Sequence, residues 1–253
     1  MSVIKKITIG VVVYLLFLVI LFPASLAVRL APLPSNIQLA GVEGSIWAGS
    51  VETVHLPQRQ LEQVSWDVNP WALLLGKLDV DLVIGSRATA VSAKGSLGWS
   101  MSGLSASQLR FEAPNRFLIG NARLPFRTDV NGEVSLFVET LTQGTPWCEQ
   151  LQGKLFLNHT HVKNQFGEYP LGDMELGLSC VDGKVQLQMD EAKNQLGVSG
   201  TLQLAAEQQV IVTAKIKETD SQPEDLKKSL MFLGKKDSQG YYPINYQGKV
   251  PGL

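Results

Sequence analysis

The stretch GVEGSIWAGSVETV, residues 41–54, decides how the rest of the chain is read. One tryptophan, Trp47, stands among Gly41, Gly44 and Gly49, a few residues beyond a hydrophobic segment. An active-site loop and the start of a strand both admit glycines at this density. From Gly44 onward the residues enter an alternating run, which favours the strand. Glycine lets a backbone bend or bulge and lets a neighbour approach closely. The Trp47 indole can then lie over the bare backbone at Gly44 and Gly49, the packing expected of the first strand of a curved sheet. That arrangement requires no catalysis.

Downstream the apolar period is two. Leu78, Val80, Leu82 and Ile84 alternate with Asp79 and Asp81, and Met174, Leu176, Leu178 and Cys180 share one parity. Val185, Leu187 and Met189 form a third such run, and Val210, Val212, Ala214 and Ile216 a fourth. Each reads as a strand with one buried face. Val64, Trp66 and Val68 also share a parity, which gives Trp66 a core role. Gly76, Gly132, Gly153, Gly183 and Gly200 each precede such a run, and Asn131-Gly132 and Asp182-Gly183 carry the residues of two-residue hairpin turns. Spacing this short leaves no room for crossover helices, so the sheet is antiparallel. The fold class is mainly β: a curved antiparallel meander, open or partly closed. Two short helices interrupt it. One opens at Asn69-Pro70 and stops at Gly76; the other lies in SQPEDLKKSLMFLG, with Ser221 and Glu224 at capping-box spacing and Leu226, Leu230 and Leu233 as its apolar stripe.

At the N-terminus, residues 7–28 carry no charge, which as one helix would reach about 33 Å against about 30 Å of hydrocarbon. Lys5 and Lys6 precede the run, so residues 1–6 stay in the cytoplasm and the bulk crosses. A cleaved signal ending at Ser25-Leu26-Ala27 is the competing reading. Residues 29–40, with Pro32 and Pro34, read as a spacer, and residues 41–253 as the exported β domain. In an oxidising compartment Cys148 and Cys180 favour a disulfide; two free buried thiols are the alternative.

Composition narrows the function. A net charge of −1, and tryptophans not interleaved with basic residues, give no basis for nucleic-acid binding. No catalytic signature is present, and no small-molecule substrate or cofactor is expected. His159 and His161 share a parity but lack a third ligand, and Asp79 and Asp81 read as the wet face of a strand. Trp47, Trp66, Trp71 and Trp99 fall close together, and contact with sugar or lipid is the functional alternative to packing.

The N-terminal segment, then GSIWAG, then VSWDVNPWALLLGKLDVDL, then the closing GYYPINYQGKVPGL, in that order, resemble the type II secretion system protein N family of Gram-negative bacteria. The resemblance spans essentially the whole chain. It implies a non-enzymatic accessory component of the cell inner membrane, single-pass, contacting other inner-membrane subunits of the machine that exports folded proteins from the periplasm across the outer membrane. Membrane lipid would be met through residues 7–28. The glycine–tryptophan opening also looks like that of AsmA-type periplasmic β-proteins, which implies lipid binding or transfer as the alternative. The family brings no catalytic residues; Gly44, Trp47, Gly49, Trp66, Pro70 and Gly76 are expected to act structurally.

Overall fold

The computed structural model describes residues 3–32, 34, 36–57, 59–86, 88–120 and 127–249. Leu33 and Ser35 of the expected spacer, and the last four residues of the closing motif, lie outside them.

Thirteen strands form one sheet in chain order: β1 (Gln38–Gly44), β2 (Ala48–Leu56), β3 (Arg59–Val68), β4 (Leu78–Ile84), β5 (Ser92–Ser100), β6 (Gly103–Pro114), β7 (Asp129–Gln143), β8 (Cys148–Asn164), β9 (Gly167–Val181), β10 (Lys184–Asn194), β11 (Val198–Leu204), β12 (Gln209–Ile216) and β13 (Tyr242–Lys249). Every strand pairs antiparallel with its chain neighbours and β1 does not meet β13, so the meander stays open. The first strand begins inside the expected spacer.

The sheet is curled. Register shifts interrupt the β5–β6, β7–β8, β8–β9 and β9–β10 ladders, and such bulges bend a strand. Two side chains span the bend. Trp147, in the turn after β7, donates its indole N–H to the Ala205 carbonyl (2.7 Å), just past β11. Arg59 of β3 donates to the Leu118 carbonyl (2.7 Å) in α4 (Asn115–Ile119), which follows β6. In a flat sheet each pair would stand at least three strand spacings apart, about 14 Å.

Asp182-Gly183 makes the predicted hairpin turn, with φ of 51° and 76°. Asn131-Gly132 does not. It lies inside β7, where the pairing with β8 shifts between Asn131 and Glu133, because the positive φ of Gly132 (121°) serves a bulge as well as a turn. Gly153 and Gly200 likewise sit within β8 and β11 rather than before them.

The N-terminal helix also departs from expectation. Instead of one helix over residues 7–28 there are two, α1 (Val3–Ile20) and α2 (Ala24–Leu30). Pro23 is extended (φ −72°, ψ 137°), as a residue without an N–H and with a steric bar on its predecessor tends to be. Among the described residues no helix is long and apolar enough to cross a membrane.

Of the two short helices, α3 (Pro70–Leu73) starts as read, the Asn69 side chain accepting from the Trp71 N–H (3.1 Å), but ends at Leu73, and a turn closed by Gly76 (φ 69°) takes the place of its expected last residues. In α5 (Glu224–Leu230) the capping box does not form. The helix begins at Glu224, two residues past the start that a Ser221 cap implies, and Ser221 instead donates to the Gln195 carbonyl (3.0 Å). Gln222 is the buried residue here; its amide donates to the Leu196 and Lys217 carbonyls and its oxygen accepts from Thr219 N–H. Leu230, 1% exposed, packs with Ile216 and Tyr242 and fixes α5 on the sheet.

Candidate functional site

The two faces of the sheet differ, and pairing shows how. Reading partner to partner across every ladder gives Val42, Val51, Val64, Ile84, Ala93, Phe111, Leu136, Leu155, Leu176, Met189, Gly200, Ala214 and Ile244. This row takes one residue from each strand, contains no polar side chain, and extends about 58 Å at the usual strand spacing. A parallel row, from Leu109 through Val138, Gly153, Leu178, Leu187, Leu202 and Val212 to Tyr246, widens it. The strip residues are mostly half-buried, and the described residues form no second sheet against them. Cover among the described residues comes near strand ends, from α5 over Ile216 and from α4, whose Phe117 packs on Phe111 with ring centres 6.4 Å apart.

The Cys148–Cys180 disulfide sits in this strip, in a cluster with Val138 and Leu151. On the other face Asp79, Ser105, Thr142 and Gln150 line a groove of about 480 Å³ together with Asp67 and Asp81, and the Ser96 hydroxyl donates to Asp81. Farther along, Glu175 of β9 accepts from Lys154 of β8 and Lys193 of β10, both 2.9 Å away, and these hydrogen bonds hold its carboxyl below the usual range. Near the C-terminus Glu191 is lowered by Lys217 and by the Tyr241 hydroxyl (2.8 Å). Tyr241 and the buried Tyr242 give the closing motif its packing role.

At the β1–β2 end, Gly44, Trp47, Gly49 and Trp66 come together, with the two indoles in exchanged roles. Trp66, not Trp47, covers the glycine: a Cβ on Gly49 would lie 2.5 Å from Trp66 Cζ2. The Trp66 N–H donates to the Ile46 carbonyl (3.2 Å). Trp47 turns the other way and donates to the Val19 carbonyl of α1 (2.9 Å). Gly44 (φ 83°) makes the turn, where a Cβ would meet the Ala48 carbonyl at 2.5 Å. Ile46 N–H bonds the Phe22 carbonyl (3.1 Å) and Pro23 pairs with Ser45, so the helical segment is tied to the sheet at this turn. Pro70 and Gly76 bracket α3 at the same end.

The regular alternation that would put His159 and His161 on one side is interrupted between them. His159 adopts φ 49° in a bulge, its N–H bonding Asp173 (2.7 Å), and the alternation breaks there. Among the described residues no three metal-ligating side chains converge. The apolar rows were not legible beforehand, because each depends on the register of twelve ladders; parity within single strands was the only signal.

The family model for type II secretion system protein N matches residues 35–245. The type II secretion system protein N of Aeromonas hydrophila is 34% identical over 242 residues, covering 94% of this chain and 95% of that protein. The protein of the same description from Vibrio cholerae is 30% identical, covering 92% of each chain, and that of Pectobacterium carotovorum is 24% identical over 241 residues. No solved structure matches. Over nearly its whole length, therefore, the chain belongs to the type II secretion system protein N family.

Proposed function

We propose that this chain is an accessory component of the type II secretion system, held in the inner membrane by its N-terminal helical segment, with the sheet in the periplasm binding other subunits rather than performing chemistry. The observation that carries this reading is the open single-layer sheet, in which β1 and β13 each have one edge that pairs with no other strand among the described residues. Such edges accept a partner strand through main-chain hydrogen bonds. The membrane reading draws on α1, whose apolar stretch from Ile7 is about 21 Å long; Leu21 and Phe22 lengthen it, and Lys5 and Lys6 reach headgroups at the cytoplasmic end. The bonds from Ile46 and Trp47 back to Phe22 and Val19 favour retention of the segment over cleavage after Ala27. Photocrosslinkers placed along β1 and β13 in cells should capture an inner-membrane secretion subunit, and deleting the gene should impair export of a secreted enzyme. Unimpaired export with no subunit captured from either edge would defeat the proposal.

A second reading is favoured by the unbroken apolar strip: acyl chains of lipid lying across the strands, as in a lipid-binding or lipid-transfer module. Mass spectrometry of the purified full chain distinguishes the two, since this reading requires stoichiometric copurifying lipid.

A further inference from the structure

In a meander, connections alternate between two rims. The rim that receives the helical segment also carries the β3–β4 connection with α3, the β5–β6 turn and the later turns after β7, β9 and β11. Side chains of α1 are exposed from Ile7 to Ile20, so apart from the Trp47 bond to Val19 the helix stands clear of the sheet and leaves from this rim. Beside its exit, the rim is apolar. Trp71, Leu74 and Leu75 are 74%, 77% and 78% exposed, and Trp99, Met101 and Leu104 project next to them. Leu78, Trp99 and Leu104 pair across β4, β5 and β6, which brings the edge of the apolar face into the patch. Lys77 is exposed within it. Tryptophan with lysine among leucines is the composition of a protein surface at the boundary between headgroups and acyl chains.

Position agrees with composition. β5 lies three strand spacings from β2, about 14 Å, so the patch sits beside the helix exit. Farther along the same rim, where the curl turns it away, the exposed turn residues are Thr145, Pro146 and Trp147, then Asp182 and Ala206-Glu207, and the Trp147 indole is tied back to the Ala205 carbonyl. We infer that the rim formed by α3 and the β5–β6 turn is a second membrane contact, its tryptophans and leucines seated in the outer headgroup region of the bilayer that holds the N-terminal helix. The inference rests on the membrane anchor proposed above. It sets the sheet upright on the membrane, strands rising from it, with the apolar strip running parallel to the bilayer.

The test uses the full chain in vesicles of phosphatidylethanolamine and phosphatidylglycerol, with and without lipid brominated near the headgroup end of its acyl chains. Flotation reports anchoring independently of the rim. Bromine should quench Trp47, Trp71 and Trp99, so W71F/W99F should lower the quenched emission about threefold, from three indoles to one, while the protein still floats. A tryptophan introduced by F232W, at the opposite rim, should stay unquenched. Flotation with unchanged quenching in W71F/W99F overturns the rim contact and leaves the anchor standing. Failure to float overturns both. Shielding of Trp71 and Trp99 that requires an added secretion subunit would mark the patch as a protein interface and overturn it too.

Discussion

Gly49→Ala is the sharpest test of how the sheet begins. The added methyl would lie 2.5 Å from Trp66 Cζ2, 2.7 Å from the Glu43 carbonyl oxygen and 2.9 Å from that of Ser45. Two of the three obstacles are backbone, and the third is an indole held by its bond to Ile46. Rotating the indole away gives up that bond; leaving it forces β1 and β2 apart at the turn that receives α1. Overpacking of this kind costs about 1–3 kcal/mol. For a chain of this size each kcal/mol moves Tm by about 2–4 °C, so the melting temperature should fall by about 2–12 °C. Thermal melts followed by circular dichroism read the loss, and a red shift in tryptophan emission reads the displaced indole. Trp66→Leu removes one of the three clashes, so the cost of G49A should shrink in that background by about 0.5 kcal/mol or more. Additive effects, or a change in G49A below about 0.5 kcal/mol, would refute the assigned packing.

Three other outcomes are expected. Leu230→Ala should cost about 2–5 kcal/mol by opening a cavity under α5, whereas Phe232→Ala, at an exposed position, should change stability by less than about 0.5 kcal/mol in urea titrations. Replacing Cys148 and Cys180 together by serine should destabilise by up to about 3.7 kcal/mol, the closure entropy of the loop between them, measured as a lower urea midpoint. Because Lys154 and Lys193 depress the Glu175 carboxyl, its contribution is present above the unfolded value of about 4.3 and is lost as pH falls through the lower folded value; as pH falls from the first to the second, wild type should therefore lose urea resistance more steeply than Glu175→Gln. Equal slopes would remove the triad from the account.

Alternating runs such as Leu78–Ile84 were legible because each strand has one wet face, and side-chain parity survives whatever it pairs with. Asn69-Pro70 was legible for a similar reason: its cap is made within three residues. Where one local chemistry serves two structures, reading failed. Asn131-Gly132 can end a strand or kink one, and only the partner strand decides. Ser221 and Glu224 had capping-box spacing, but Gln222 found buried carbonyls of other segments and the chain started its helix later. The glycine–tryptophan packing was foreseen in kind and misassigned in detail, since nothing near Gly49 reveals that β3 will deliver Trp66 to it. The site is less legible than the fold for the same cause: a strip assembled from thirteen strands is a property of register, which is long-range.

Strand order that follows the chain has a consequence for biogenesis. No strand waits for a partner made long after it, so a polypeptide threaded outward from its N-terminus could lay down the sheet in the order it emerges, each new strand adding to the last. At every moment the growing tip is one strand wide and next to its successor, which keeps the time any bare edge spends available to the wrong chain short.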